Sequence, residues 1–288
     1  MERIEQLKSA GHMSVEVLEK LYAKYNRPEF IPPDPLQFLY KYSNPADKEI
    51  VGFLSAALAY GRVEQIEKSL TNLFGLMGPS PYAFVRDFGE AKREKLSTFK
   101  HRFTTGQDIS DLLQILSEVF EDYGCIESYF LLGYNETDRN IIPALSKFSK
   151  SLLVIHANRH SGQVSGGLKY LLADPEAKSA CKRLNLFLRW MVRKDEVDLG
   201  LWSSIDKAKL IVPVDVHMAR LCRIIGLHSR KTISISTAVE ITEGFAKIEP
   251  ADPAKYDFAL SRIGIVEGCN GKYELRCNGC ELIEFCNN

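Results

Sequence analysis

Four of the seven cysteines in this 288-residue chain, Cys269, Cys277, Cys280 and Cys286, fall in its last twenty residues, with seven, two and five residues between them. Thiols spaced in this way can converge from a short loop on one tetrahedral centre, and either iron–sulfur or zinc suits such a set. Two local disulfides or four adjacent free thiols are the other readings. The apolar turn among them, Leu282, Ile283 and Phe285, is too small to hold the tail without a ligand, which favours metal. In a reducing compartment a cysteine cluster is also better explained by metal than by disulfides. The remaining cysteines, Cys125, Cys181 and Cys222, stand singly in apolar surroundings and read as small buried side chains.

Thirty-seven basic residues balance thirty-seven acidic ones, so no global field favours a polyanionic partner, and any nucleic-acid surface must come from local asymmetry. The N-terminal residues lack the apolar core of a signal peptide, and no eighteen-residue apolar run occurs. The expectation is a soluble, cytoplasmic monomer with no membrane partner. Its length suits one large domain or two intimate ones.

Apolar periodicity is helical almost throughout. Ile4, Leu7, Val15, Leu18, Leu21 and Tyr22 recur at near-helical spacing over residues 1–27, with Ser14 placed as a cap, and Pro28, Pro32, Pro33 and Pro35 then break the pattern. A helix over 49–60, opened at Asn44-Pro45, is apolar nearly all round and therefore predicts a central position. An amphipathic helix follows over 62–76, then a helix over 109–123 and two further helices around 141–160, with a basic run over 92–102 that reads as a solvated face. Residues 161–172 read as loop, and Asp174-Pro175-Glu176 predicts a helix over 178–193. The β signals, at 210–212 and 233–235, are short and lack hairpin partners. The predicted class is all-α.

The most informative internal stretch runs from Pro213 to Leu227. A proline, then Asp215, then an amphipathic helix closed by Gly226 puts Asp215 at an N-cap, where its carboxylate can accept backbone N–H bonds. A plain capping role is the simplest account of it taken alone.

Val-Asp-Val-His-Met-Ala-Arg-Leu-Cys-Arg-Ile-Ile-Gly-Leu is, however, similar to the segment that carries the catalytic aspartate in the HhH-GPD superfamily of base-excision DNA glycosylases. Helical patterns at 238–245 and 253–267 lead into the four cysteines, as in the endonuclease III-like branch with its iron–sulfur loop. The first cysteine gap here is one residue longer than that branch's. Phe53 to Tyr60 resembles another of the branch's helices, although Ala57 stands where a DNA-inserting glutamine is usual. No Gly-x-Gly hairpin precedes Asp215. Pairing Lys-Arg-Leu-Asn-Leu-Phe-Leu with the family's lysine segment places Lys182 on the lyase lysine, and residues 194–207 must then loop out as an insertion. The chain thus resembles a bacterial branch of the superfamily with a divergent hairpin.

The resemblance implies two helical subdomains with a cleft between them, 1–44 plus 205–288 and 45–204, closed by the four-cysteine loop. It implies removal of a damaged base from duplex DNA, with AP lyase chemistry as an added capability, and a [4Fe–4S] cluster on Cys269, Cys277, Cys280 and Cys286, zinc being the alternative. Asp215 would stabilise charge on the deoxyribose, and Lys182 would form a Schiff base, its amine kept neutral by Lys178, Arg183 and Arg189. Arg183, His217, Lys272 and Arg276 are candidate phosphate contacts, and Tyr60 and Trp202 candidates for stacking on a base. Each of these residues also has an ordinary structural role open to it. A nucleic-acid-binding protein with altered or lost chemistry, and a zinc-clipped helical protein unrelated to nucleic acid, are the competing expectations.

Overall fold

Helix accounts for 61% of the residues and strand for 2%, so the chain is all-α as its periodicity predicts. The computed structural model describes residues 15–286; Ile4, Leu7 and the expected cap Ser14 lie outside the described residues, as does the side chain of Arg276. The α-helices are α1 (Val15–Tyr25), α2 (Pro45–Ala57), α3 (Val63–Met77), α4 (Pro81–Arg86), α5 (Glu90–Leu96), α6 (Gly106–Tyr123), α7 (Ile126–Leu131), α8 (Ile142–Arg159), α9 (Gly166–Leu171), α10 (Lys182–Val192), α11 (Val216–Ile224), α12 (Ile235–Ala246) and α13 (Asp257–Ile265). Short 3₁₀ turns cover Pro28–Phe30, Pro35–Lys41, Pro175–Ala177, Lys207–Lys209, Leu275–Gly279 and Ile283–Phe285. Among the described helices none is long and apolar enough to cross a membrane.

α2 is the central helix. Asn44 caps it by accepting from the Ala46 amide at 2.9 Å, Pro45 fits its first turn, and every residue from Glu49 to Ala57 is buried. It packs against α10 and the 35–41 turn at such close range that a Cβ on Gly52 would lie 3.0 Å from the Met191 methyl and 3.1 Å from Leu39. The one acid on this apolar segment is fully used. Glu49 accepts the amides of Ile126 and Glu127, at 3.0 and 3.1 Å, and so caps α7 from another helix, and it accepts the Trp202 indole N–H at 2.8 Å. α2 ends at Ala57, three residues before the predicted limit, leaving Ala59 and Tyr60 in the turn that follows.

Two local departures from the sequence expectation have clear causes. The stretch 161–172 contains a short helix because Ser165 caps it, accepting from the Leu168 amide at 3.0 Å and donating to Asp108 at 3.1 Å. The end of the basic run folds into a two-stranded hairpin, Lys100–His101 with Thr104–Thr105, held where buried His101 meets the Ser69 hydroxyl at 2.9 Å and the Tyr60 carbonyl at 3.0 Å.

The insertion at 194–207 does not loop out. It folds back on α10 because that helix carries two buried guanidinium groups, Arg189 and Arg193, each 2% exposed, that require anionic partners. Arg193 binds Asp252 bidentately, at 2.8 and 3.0 Å, and also Asp195 and Asp198; Arg189 binds Asp198 at 3.2 Å and Asp257. The network ties α10 to α13 and to the segment before it. It holds the helix of Lys182 against α13, on which the helix that follows Asp215 also packs.

Candidate functional site at the Lys182–Asp215 cleft

α10 begins at Lys182, four residues later than predicted, because Lys178 and Cys181 both adopt left-handed backbone, at φ +66° and +47°. Lys182 is therefore the first residue of its helix and projects from its N-terminal end. Asp215 is the N-cap of α11: its Oδ1 accepts the amides of His217 and Met218, both at 2.9 Å. α11 closes as predicted, at Gly226 with φ +78°.

The second oxygen, Asp215 Oδ2, lies 3.2 Å from Lys182 Nζ, and each side chain is about one-third exposed. Burial raises the Asp215 carboxyl's affinity for a proton, but the Lys182 charge, the Met218 amide and the hydrogen bond from Lys182 together outweigh it. The group is held below its ordinary carboxylate value.

Both residues line a cleft of about 430 Å³. Its walls are formed by Ala59–Gly61, α3, Pro33–Pro35, Pro213, His217 and α13 with Asp257, and Arg189 also lines it. Burial raises the proton affinity of the Asp257 carboxyl, although Arg189 opposes that shift. Arg189 Nη2 has no hydrogen-bond partner among the described residues. Arg262, fully buried on α13, closes the wall by donating to Asp34 at 2.9 Å and to the Phe30 carbonyl at 3.0 Å.

The other sequence candidates separate into those at the cleft and those elsewhere. His217 lines the cleft, its Nδ1 3.0 Å from Arg220 Nη2. Tyr60 lines it too, its hydroxyl donating to the His101 carbonyl at 2.9 Å. Arg183 is not turned outward as a phosphate contact: its guanidinium donates to the Ala57 carbonyl at 2.9 Å, where α2 ends, and to the Tyr170 carbonyl, and lies over the Tyr170 and Tyr60 rings. Trp202 is not at a stacking pocket: it is 2% exposed and packs in the core on Phe130 and Phe187. Nor does Arg189 crowd the Lys182 amine with free charge, since Asp198 and Asp257 pair it. Lys272 is exposed in the cysteine loop; the Arg276 side chain lies outside the described residues.

Several residues in or beside the cleft escaped the sequence reading. Phe103, at the hairpin tip and 68% exposed, stacks parallel to the cleft residue Tyr60 with centroids 6.2 Å apart, and Tyr170 meets Tyr60 edge-on at 5.1 Å. Asp257 lies in a helix whose pattern reports only its apolar face, and Arg189, expected only as a charge near Lys182, lines the cleft itself.

The four thiols come together. Cys269, Cys277, Cys280 and Cys286 all line one small cavity, with Leu221 and Ile224 of α11, Ile263 and Leu282. Burial, then the charges of Glu281, Cys269 and Cys277, make Cys280 harder to ionise. Four thiols around one apolar-walled space are a donor set that fits a tetrahedral metal or a cubic cluster. Asp215 and this cavity sit toward opposite ends of α11, a rise of about 13 Å for nine residues. Of the single cysteines, Cys181 and Cys222 are buried, whereas Cys125 is partly exposed and caps α7, its sulfur accepting from the Ser128 amide at 3.4 Å.

No curated protein and no solved structure matches this chain. Kinship with the HhH-GPD glycosylases, suggested by the Asp215 segment, is overturned by the family model that does match, which describes a different family. The misleading signal has a physical basis: an aspartate cap, a short amphipathic helix and a closing glycine follow from helix-end chemistry in unrelated chains. The match covers residues 34–266, most of the chain and all of the cleft lining but Pro33, and by it the chain belongs to DUF2400, a family described as proteins of unknown function.

Proposed function

We propose that the cleft excises a damaged base from DNA and that Lys182 and Asp215 carry the chemistry. One observation carries the reading: two residues thirty-three positions apart have an amine and a carboxylate 3.2 Å from each other inside a cleft large enough for a single nucleotide. A damaged nucleotide turned out of the duplex enters the cleft. Asp215, held ionised, stabilises positive charge on the deoxyribose as the base departs with the electrons of the glycosidic bond. The Lys182 ammonium gives one proton to the departing base, and the amine so freed bonds to C1′. Its surplus proton then passes to O4′ as the C1′–O4′ bond opens, and the nitrogen lone pair completes the Schiff base.

Supporting features surround the pair. Phe103, Tyr60 and Tyr170 offer aromatic faces for stacking or for filling the space that a flipped base leaves. Lys272 supplies positive charge on the cysteine loop. The four cysteines are proposed to hold a [4Fe–4S] cluster, with zinc as the alternative, anchoring the C-terminal loop and supplying no part of the bond chemistry.

The same ion pair suits a second reading, a protein that grips the sugar-phosphate backbone without cutting it. Borohydride trapping on duplexes carrying a panel of base lesions and abasic sites separates the two. A covalent adduct formed by the native chain and lost in Lys182→Ala supports the lyase step. Base release undiminished in Asp215→Asn removes Asp215 from the chemistry, and binding with neither adduct nor release favours the second reading.

A further inference from the structure

Away from the residues of the cleft and the cysteine cavity, α6 and α8 bring a carboxylate and two imidazoles together. Asp111 is on α6; His156, in the last turn of α8, and His160, its C-cap, are one turn apart. One ligand atom from each lies within 4.8 Å of the other two. Helical i, i+4 spacing places both imidazoles on one face, as a metal requires of two ligands from a single helix.

The hydrogen bonds around the trio leave one free lone pair on each member. Asp111 Oδ1 accepts Arg93 Nη1 at 2.9 Å and Gln107 Nε2 at 2.8 Å, while Oδ2 has no hydrogen bond among the described residues. His160 Nδ1 is 2.9 Å from the His156 carbonyl, which can only accept, so Nδ1 carries the proton and Nε2 presents its lone pair. The His156 side chain is 5% exposed, and its ring makes no hydrogen bond among the described residues. The two rings are stacked at 3.9 Å and 15°, so their in-plane lone pairs run side by side, and the exposed His160 ring must turn about its side-chain bonds to bring both onto one ion.

The competing account is an Arg93–Asp111 ion pair beside two stacked rings, with the Arg93 charge opposing a cation. Arg93 binds the oxygen that a metal would not use, and orienting a ligating carboxylate through its other oxygen is the usual role of an outer-shell partner. We propose that Asp111 Oδ2, His156 and His160 Nε2 bind a divalent first-row transition ion, best Zn²⁺, with water in the open position. Two imidazoles and one carboxylate suit that ion. The ion fastens the C-terminal end of α8 to α6, reinforcing the Arg159–Glu118 pair at 2.6 Å.

Calorimetric titration of the full-length chain, its cysteine centre already filled, with Zn²⁺ tests this. His160 is exposed, so His160→Ala leaves the core intact; Asp111→Asn, which keeps the shape of its side chain, provides a second variant. The native chain should take up one further equivalent, with affinity lowered roughly 100-fold in His160→Ala. Co²⁺ in place of Zn²⁺ should give weak visible bands without the intense near-ultraviolet absorption of a cobalt–thiolate bond. Equal titration of native and His160→Ala, no further uptake by the native chain, or a thiolate signature for the added Co²⁺ would each overturn the proposal.

Discussion

Asp215 serves two partners with different oxygens: Oδ1 caps α11 through two backbone amides, and Oδ2 meets Lys182 Nζ at 3.2 Å. The two duties can be separated by substitution. Asn is as good a cap as Asp, so Asp215→Asn should keep most of the stability while losing the charge that the proposed chemistry needs. Asp215→Ala should cost about 1 kcal/mol more than Asp215→Asn, the usual worth of a cap. Urea denaturation of the two variants measures the difference. Equal stability would mean that the cap contributes nothing to this helix.

The depressed proton affinity of Asp215 sets a direction in pH. Its folded carboxyl ionises below the unfolded value, so the stabilisation is complete above the unfolded value of about 3.9 and is lost as pH falls through the lower, folded one. The acid limb of any base-excision activity should accordingly lie below the ordinary carboxylate range. Substituting Lys182→Met, which removes the largest opposing charge, should move that limb upward in a binding or residual-release assay. An acid limb unmoved by Lys182→Met would remove Lys182 as the cause.

Arg189 is predicted to matter more for stability than any residue that merely touches the cleft. It is 2% exposed and pairs with both Asp198 and Asp257, so Arg189→Met leaves Asp257 without its guanidinium partner and Asp198 with Arg193 in place of two. Stranding a buried charge in this way typically costs about 3–5 kcal/mol. Adding Asp257→Asn to Arg189→Met should restore part of the loss, as thermal denaturation of single and double variants would reveal. A double variant less stable than the single would contradict the pairing.

How far the sequence could be read followed from where the information lay. The burial of α2 was legible because apolar residues surround the helix, and the Asp215 cap because proline, aspartate and glycine act through local chemistry. Lys182 was legible only through its pairing with a family segment, although that family proved to be the wrong one; its helix start depends on left-handed Lys178 and Cys181, which no propensity reports. The fold-back of residues 194–207 was missed because its cause is a charge match with Arg189 and Arg193 across the fold. Trp202 could be either a stacking or a core residue by sequence, and what decides for the core, a buried acceptor for its indole N–H at Glu49, lies 153 positions away.

The proposed cluster makes a prediction that separates iron from zinc by eye. A [4Fe–4S] cluster gives a brown protein with broad visible absorption, whereas zinc is colourless. Cys280→Ser should bleach the colour and lower the iron content while leaving most of the helical circular dichroism, because the loop is anchored by few buried side chains besides Leu282. A colourless native protein with stoichiometric zinc would settle the site on the alternative metal.

Arg220 joins the two ends of α11. Its Nη2 lies 3.0 Å from His217 Nδ1 and donates to the Cys269 carbonyl at 2.9 Å, so one guanidinium nitrogen holds a cleft residue and the first residue of the cysteine set. A guanidinium can only donate, so His217 Nδ1 accepts and its proton sits on Nε2. Arg220→Ala should therefore loosen the cysteine loop, seen as faster proteolysis within residues 269–286 and faster loss of bound metal to a chelator. Gly271→Ala should act in the same direction by another route: its φ of +79° disfavours a side chain, and a Cβ there would lie 2.7 Å from Arg220 Cδ. If Arg220→Ala releases metal and is cleaved no faster than the native chain, the contact is incidental, and the two ends of α11 are independent.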